Sequence, residues 1–386
     1  MHPRPWIASL VGFVLLAGGF PWALPGCGHR PRPPITRAIW VTRWDYQSAE
    51  DVRRIVTDCA GAGFDTLLFQ VRGNGTVFYP SDLEPWAEEL GFSDPGFDPL
   101  AIACEEAGKR GVALHAWVNA IPGWRGKAPP AIPEQLYNAR PEWFPYDREG
   151  DREALKPRYY VGLNPCLPEV RNHVAAVCAE IAGSYPVAGI HLDYIRWLEK
   201  EEGRDYPRDP RTLALYSKEC GREADADRAA WEEWKRDQVT ALVRAIRESV
   251  REANPRALLT AAVVRTPSIA RRRVLQDWLS WLHHGLVDAV FPMQYDRDDR
   301  RFAERVRECV AAAGHRPVIM GIGVYLHDDP AQSLEQIRAA RLLGCQGISL
   351  FAYSSFFRSA AEEDDPARSS EELRRARRER ILHRGY

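Results

Sequence analysis

At 386 residues, with 52 basic and 53 acidic side chains and no long basic block in its body, the chain has room for one large domain or two average ones and is not built to follow a nucleic-acid backbone. The balance of charge points to a neutral or mixed ligand, and the 13 Trp and 14 Tyr suit sugar faces as well as protein cores. Residues 1–27 read as an export segment, with Arg4 near the start, an apolar run over 6–20 and then Leu24-Pro25-Gly26-Cys27. The run is short and Gly-containing for a membrane span, so cleavage is expected. A small residue directly before a Cys resembles a bacterial lipoprotein signal, which makes Cys27 the expected lipidated N-terminus and the sole membrane contact. Pro25 departs from that pattern. Residues 28–35, with Pro31, Pro33 and Pro34, form a stiff spacer. Apart from Cys27 there are seven cysteines without a CxxC pair. Cys59, Cys104, Cys178 and Cys309 sit among Ala, Val and Ile as small hydrophobes, and neither a disulfide framework nor a zinc site is indicated.

From residue 38 onward short apolar runs alternate with amphipathic segments, the pattern of a parallel sheet covered by helices. Strands are expected at 38–42, 66–71, 112–118, 189–194, 258–264, 289–293, 318–322 and 347–351. Between them lie helices from about Ser48, from Asp98, over 168–185, over 228–253, near 278–283, over 301–313 and over 333–343. Long loops follow the second, third and fourth strands. The fold class is therefore α/β, a (β/α)8 TIM barrel over 36–360. An open doubly wound sheet is disfavoured because no G-x-G-x-x-G opens a helix after the first strand, and no cofactor is expected. The charged tail over 361–386 reads as a solvated terminal helix.

In such a barrel the C-terminal ends of the strands meet at one mouth, so residues distant in sequence form one site. The fourth strand carries the clearest signal. Gly189-Ile190-His191-Leu192-Asp193-Tyr194-Ile195-Arg196 begins as a buried strand and ends in charge, which makes Asp193 the leading catalytic candidate. A strand-end Asp can also merely cap the following turn or pair with Arg196. The other strand ends bring Trp44 and Asp45, Arg72 and Asn74, Trp117 and Asn119, then Gln294, Tyr295 and Asp296, with Tyr325 and Tyr353 behind them. Carboxylates can protonate a leaving oxygen or attack an anomeric carbon, amides and Arg can hold hydroxyls, and rings can stack on pyranose faces. Glycoside hydrolysis explains this set better than phosphoryl transfer, which requires a phosphate cradle and metal ligands. His191 and Asp193 have the i,i+2 spacing used by zinc hydrolases, but no H-x-H pair or HExxH accompanies them, and no metal is expected.

Several of these stretches occur together in a known family. Arg37-Ala38-Ile39-Trp40-Val41, Phe69-Gln70-Val71-Arg72-Gly73-Asn74-Gly75, Leu114-His115-Ala116-Trp117-Val118-Asn119, Leu163-Asn164-Pro165, the His191 and Asp193 strand and Phe291-Pro292-Met293-Gln294-Tyr295 resemble the glycosyl-hydrolase-like family 10 proteins, in order over about residues 36 to 356. The resemblance implies a TIM barrel of the broad glycosidase group, in bacterial proteins that are often lipoproteins. For one branch it implies cleavage of peptidoglycan glycan strands lacking stem peptides. By matching positions it implies Asp193 as the central carboxylate, with Arg72, Asn119, His191 and Tyr295 lining the sugar site. Ala188 stands where members commonly have Asp, and Trp197 where they have a Tyr-Pro ending.

The expectation is an exported glycoside hydrolase acting on a cell-envelope or environmental polysaccharide. Asp193 serves as nucleophile or stabilising carboxylate, with Asp296, then Asp45, then Glu84 as acid/base partner. Arg72, Asn74, Trp117, Asn119, His191, Arg196, Gln294, Tyr295, Tyr325 and Tyr353 are the expected substrate contacts. Two readings stand beside it: a lipid-anchored glycan-binding protein without catalysis, and a metal-dependent carbohydrate deacetylase.

Overall fold

The computed structural model describes residues 36–198, 205–360 and 369–382, so the export segment, Cys27 and the proline spacer lie outside the described residues. Ten strands form in chain order: β1 (Arg37–Val41), β2 (Thr66–Arg72), β3 (Ala113–Asn119), β4 (Pro122–Arg125), β5 (Tyr160–Gly162), β6 (Gly189–Asp193), β7 (Leu258–Val264), β8 (Ala289–Gln294), β9 (Ile319–Gly323) and β10 (Gly347–Phe351). Eight of them close into a parallel barrel in the order β1-β10-β9-β8-β7-β6-β3-β2, with helices between successive strands. Strand placement agrees with the apolar runs to within about two residues, the usual uncertainty of element ends.

Alternation along each strand divides the core in two. Ile39, Val41, Leu67, Phe69, Ile190 and Leu192 face the helix layer. Trp40, Leu68, Trp117, Phe291 and Ile319 fill the barrel interior. The helices start where their caps dictate. Ser48 and Asp51 make a reciprocal capping box on Ala49–Gly61, and Asp98 accepts from the Ala101 N–H at the head of Pro99–Arg110. The longest helix, Arg228–Ala253, buries Val239, Leu242, Val243 and Ile246 along one face, each contributing roughly 1.5–3 kcal/mol by removal from water.

The long loops hold structure of their own. In the loop after β3, β4 and β5 pair as a two-stranded antiparallel sheet, its strands too short to register as alternating runs. Asp209 caps a helix over Pro210–Cys220 in the long loop after β6. The C-terminal helix Glu371–Arg377 differs from the solvated helix expected. Arg377 is fully buried and donates to the carbonyls of Ser355 at 3.0 Å and His327 at 2.9 Å, which docks the helix on the loops after β10 and β9. Charge spacing reports the exposed side of such a helix and is blind to the two arginines, Arg374 and Arg377, that leave water. All seven described cysteines are free thiols, and no described helix is long and apolar enough to cross a membrane.

Candidate active site

Asp193 is the last residue of β6, on the inward-facing parity with His191, and 6% exposed. Tyr194 follows in the left-handed region at φ 48°, a conformation costly for a residue with a side chain. That turn aims the Tyr194 N–H at Asp193 Oδ1 (2.6 Å) and brings Arg196 Nη1 to 3.4 Å from the same oxygen. Burial pushes the Asp193 carboxyl above the usual carboxylate range; Arg196 and the Tyr194 N–H oppose this without cancelling it.

Tyr194 and Arg196, the two residues bonded to this carboxyl, line a cavity of about 450 Å³, whose lining does not include Asp193 itself. Tyr160 from β5, Tyr194 and Arg196 after β6, and Tyr295 after β8 form one wall. The opposite wall comes from the end of β7 and the helix Pro267–Arg273, through Val264, Arg265, Ile269 and Arg273. Gly323 makes room for the Tyr295 ring, since a Cβ there would lie 3.0 Å from it. Phe351 and Tyr325 flank that ring at centroid distances of 5.5 and 6.1 Å. Tyr160 packs edge-on to Tyr194 at 5.0 Å, and the Arg196 guanidinium lies 4.4 Å from the Tyr194 ring centroid.

Of the expected substrate contacts, Arg196 and Tyr295 line this cavity, and Tyr325 supports it from behind. His191 lies inside the barrel with no exposed surface. Trp40 Nε1 donates to its Nε2 at 3.2 Å, so Nδ1 carries the proton toward Thr260 Oγ1 at 2.9 Å. Both ring nitrogens are therefore occupied, and neither is left for a metal. Burial holds its pKa well below the ordinary histidine value, keeping the ring neutral.

Arg72 is fully buried, paired with Glu84 and donating to the Asn119 carbonyl. Asn119 accepts from Trp117 Nε1 at 3.0 Å and donates to the Gly73 carbonyl at 3.0 Å. The Asn74 carbonyl accepts from Gln135 Nε2 at 2.9 Å. Gln294 donates to the Arg265 carbonyl, and the Tyr353 hydroxyl donates to Asp58 at 2.7 Å on the first helix. These groups brace the loops of the mouth and are not among the residues lining the cavity.

The candidate second carboxylates are held in networks of their own. Asp296 receives Arg301 Nε at 2.6 Å and Arg305 Nη1 at 2.7 Å, and chiefly the Arg301 bonds lower its pKa to about 2. Asp45 closes a buried turn by accepting from Thr42 N at 2.6 Å and Thr42 Oγ1 at 2.9 Å. Glu84 accepts from Arg72 and contacts His173 Nε2 at 2.9 Å.

The structure adds Tyr160, Tyr194, Arg265 and Arg273 to the site. Arg265 directly follows β7, so the rule that function collects at strand ends points to it. Tyr160 sits in the long loop after β3 and is carried to the mouth by the β4–β5 sheet, a placement with no local signal.

A closed (β/α)8 barrel with a buried carboxyl at its C-terminal mouth is a scaffold of the enzyme type. The chain belongs to the glycosyl hydrolase-like 10 family, which it matches over residues 35–326. It is 27% identical over 261 residues to glycosyl hydrolase DigH of Escherichia coli O6:H1, covering 60% of this chain and 55% of that protein. It is 26% identical over 266 residues to glycosyl hydrolase YngK of Bacillus subtilis, covering 64% and 49%. The chain thus spans about half the length of these curated relatives. The glycoside hydrolase domain of PgaB from Bordetella bronchiseptica shares the fold, with a TM-score of 0.61 at 15% identity over 82% of this chain and 94% of that one.

Proposed function

We propose that the protein is an exported, lipid-anchored glycoside hydrolase whose reaction is centred on Asp193, with a cell-envelope or environmental glycan as substrate. Glycan strands of peptidoglycan are a candidate from the family resemblance of the sequence, and the relatives named above carry the name glycosyl hydrolase. The observation that carries this reading is the carboxyl of Asp193, buried at the barrel mouth with its pKa raised and bonded to Tyr194 and Arg196, two residues of the cavity lining. A carboxyl that keeps its proton further up the pH scale suits donation to a leaving glycosidic oxygen. This moves Asp193 from the nucleophile role toward the acid role. Tyr194 N–H and Arg196 then hold the carboxylate left after transfer.

The test is incubation of the chain with purified envelope glycans and other polysaccharides, followed by mass analysis of the products. Wild-type protein releases shortened oligosaccharides, and Asp193→Asn releases none while unfolding at a similar or higher temperature. Full cleavage by the variant sinks the assignment.

A glycan-binding protein without hydrolysis is a second reading. Hydrolysis by two carboxyl groups needs them roughly 5 to 9.5 Å apart, and Asp296, Asp45 and Glu84 are each engaged by arginine, threonine or histidine partners. Binding with no product by mass analysis decides for it.

A further inference from the structure

Among the described residues Tyr159 carries the one exposed aromatic ring. It is 71% exposed, whereas every other described Trp, Tyr and Phe is buried or half-buried. A single exposed ring calls for no explanation by itself. This one stands at the opening of the cavity that Tyr194, Arg196 and Tyr295 also line. Among the described residues no ring and no guanidinium stacks on it, so most of its surface is left to solvent.

The chain on both sides fixes the ring in place. The Tyr159 N–H donates to the Lys156 carbonyl at 3.2 Å and closes a turn with Pro157 and Arg158 at its centre. Proline suits the first central position, but Arg158 takes φ 67° at the second, where glycine is the usual residue. That conformation costs a residue with a side chain roughly 1–2 kcal/mol. A strained turn at the edge of a cavity is a mark of a segment shaped for binding as well as for reversing the chain. On the other side Tyr160 is held firmly. It pairs with Arg125 in the β4–β5 sheet, its hydroxyl accepts from Arg43 Nη1 at 3.1 Å, and its ring packs against Tyr194 at 5.0 Å. Tyr159 is thus set between a closed turn and an anchored neighbour.

A pyranose has a face of C–H groups and hydroxyls around its edge. An open aromatic ring covers that face while the hydroxyls stay in water. Asp193 is 6% exposed and Tyr159 71%, so the ring belongs to the outer rim and not to the sugar at the carboxyl. We propose that Tyr159 is the stacking platform of an outer sugar subsite, by which the protein prefers an extended glycan chain to a short one. This subsite rests on the cavity being the glycan site proposed above.

The probe is peptidoglycan glycan strands freed of stem peptides and separated into a short and a long fraction. Binding by calorimetry and cleavage kinetics are measured on both fractions with the full chain, as wild type, Tyr159→Ala and Tyr159→Phe. Wild type is expected to favour the long fraction. Tyr159→Ala should lower that preference by about threefold to tenfold, through a higher KM on long strands and not through kcat, with the thermal midpoint unmoved because the ring is exposed. Tyr159→Phe keeps the ring and should keep the preference. An undiminished preference in Tyr159→Ala, or binding of neither fraction, overturns the proposal. Cleavage of both fractions with equal efficiency by wild type would leave the hydrolase standing and remove the subsite. A binding preference that depends on Tyr159, with no cleavage of either fraction, would keep the subsite and remove the hydrolase.

Discussion

Arg72 and Glu84 form a two-pronged ion pair with no solvent contact on either side chain, Nε to Oε2 at 2.8 Å and Nη2 to Oε1 at 2.6 Å. The pair ties the end of β2 to the loop after it, and Arg72 Nη1 carries the link to the Asn119 carbonyl at the end of β3. Removing one partner strands a buried charge. Arg72→Met or Glu84→Leu should each cost about 3–5 kcal/mol in urea unfolding, and the double variant should cost much less than their sum. Single losses near zero would show that the pair does not brace the mouth.

The same pair sets an acid limit. Glu84 has its pKa lowered from 4.5 to about 2, because Arg72 and His173 outweigh its burial. A lowered carboxyl contributes stability that is present above the unfolded value and lost as pH falls through the folded one. Urea midpoints of wild type should therefore drop between about pH 4.5 and pH 2, with a shallower drop in Glu84→Gln. Parallel curves for the two proteins would contradict the assignment.

Asp193 has the opposite sign. Its carboxyl is raised from 3.8, so its contribution is present below the unfolded value and is lost as pH rises through the folded one. In its ionised form it is a buried charge incompletely offset by Arg196. Asp193→Asn should raise stability at neutral pH by on the order of 1 kcal/mol, a gain that vanishes in acid, while glycan cleavage is lost. Thermal denaturation at neutral pH and again below about pH 3.8 checks this.

Tyr194 separates backbone strain from ring function. Glycine accepts φ 48° freely, so Tyr194→Gly gains about 1 kcal/mol at the backbone and forfeits the contacts with Tyr160 and Arg196. The net change in melting temperature should be small, and cleavage should fall at least about tenfold through loss of one cavity wall. Unchanged cleavage would remove Tyr194 from the site.

His191 holds the barrel interior. His191→Phe leaves the Trp40 N–H without its partner, at about 1–3 kcal/mol, while the Thr260 hydroxyl keeps the Ile190 carbonyl and His115 Nδ1 at 3.4 Å. Because both imidazole nitrogens are bonded to protein, a chelator should leave activity and melting temperature unchanged. Loss of activity restored by zinc would favour the deacetylase instead.

The barrel was legible along the chain because strand and helix periods are local. Apolar runs marked all eight barrel strands, Ser48 and Asp98 announced their helices, and Asp193 stood out as charge ending a buried strand. Which polar groups face the cavity was not legible. Asn119, Gln294 and Arg72 sit at strand ends as an active-site residue would, yet each finds a protein partner only when neighbouring strands and loops close around it. Tyr160 reaches the cavity from the two-stranded sheet in the loop after β3, whose path no periodicity encodes. Local pattern thus identifies the scaffold, whereas the choice between bracing the mouth and lining it depends on contacts between residues far apart in the chain.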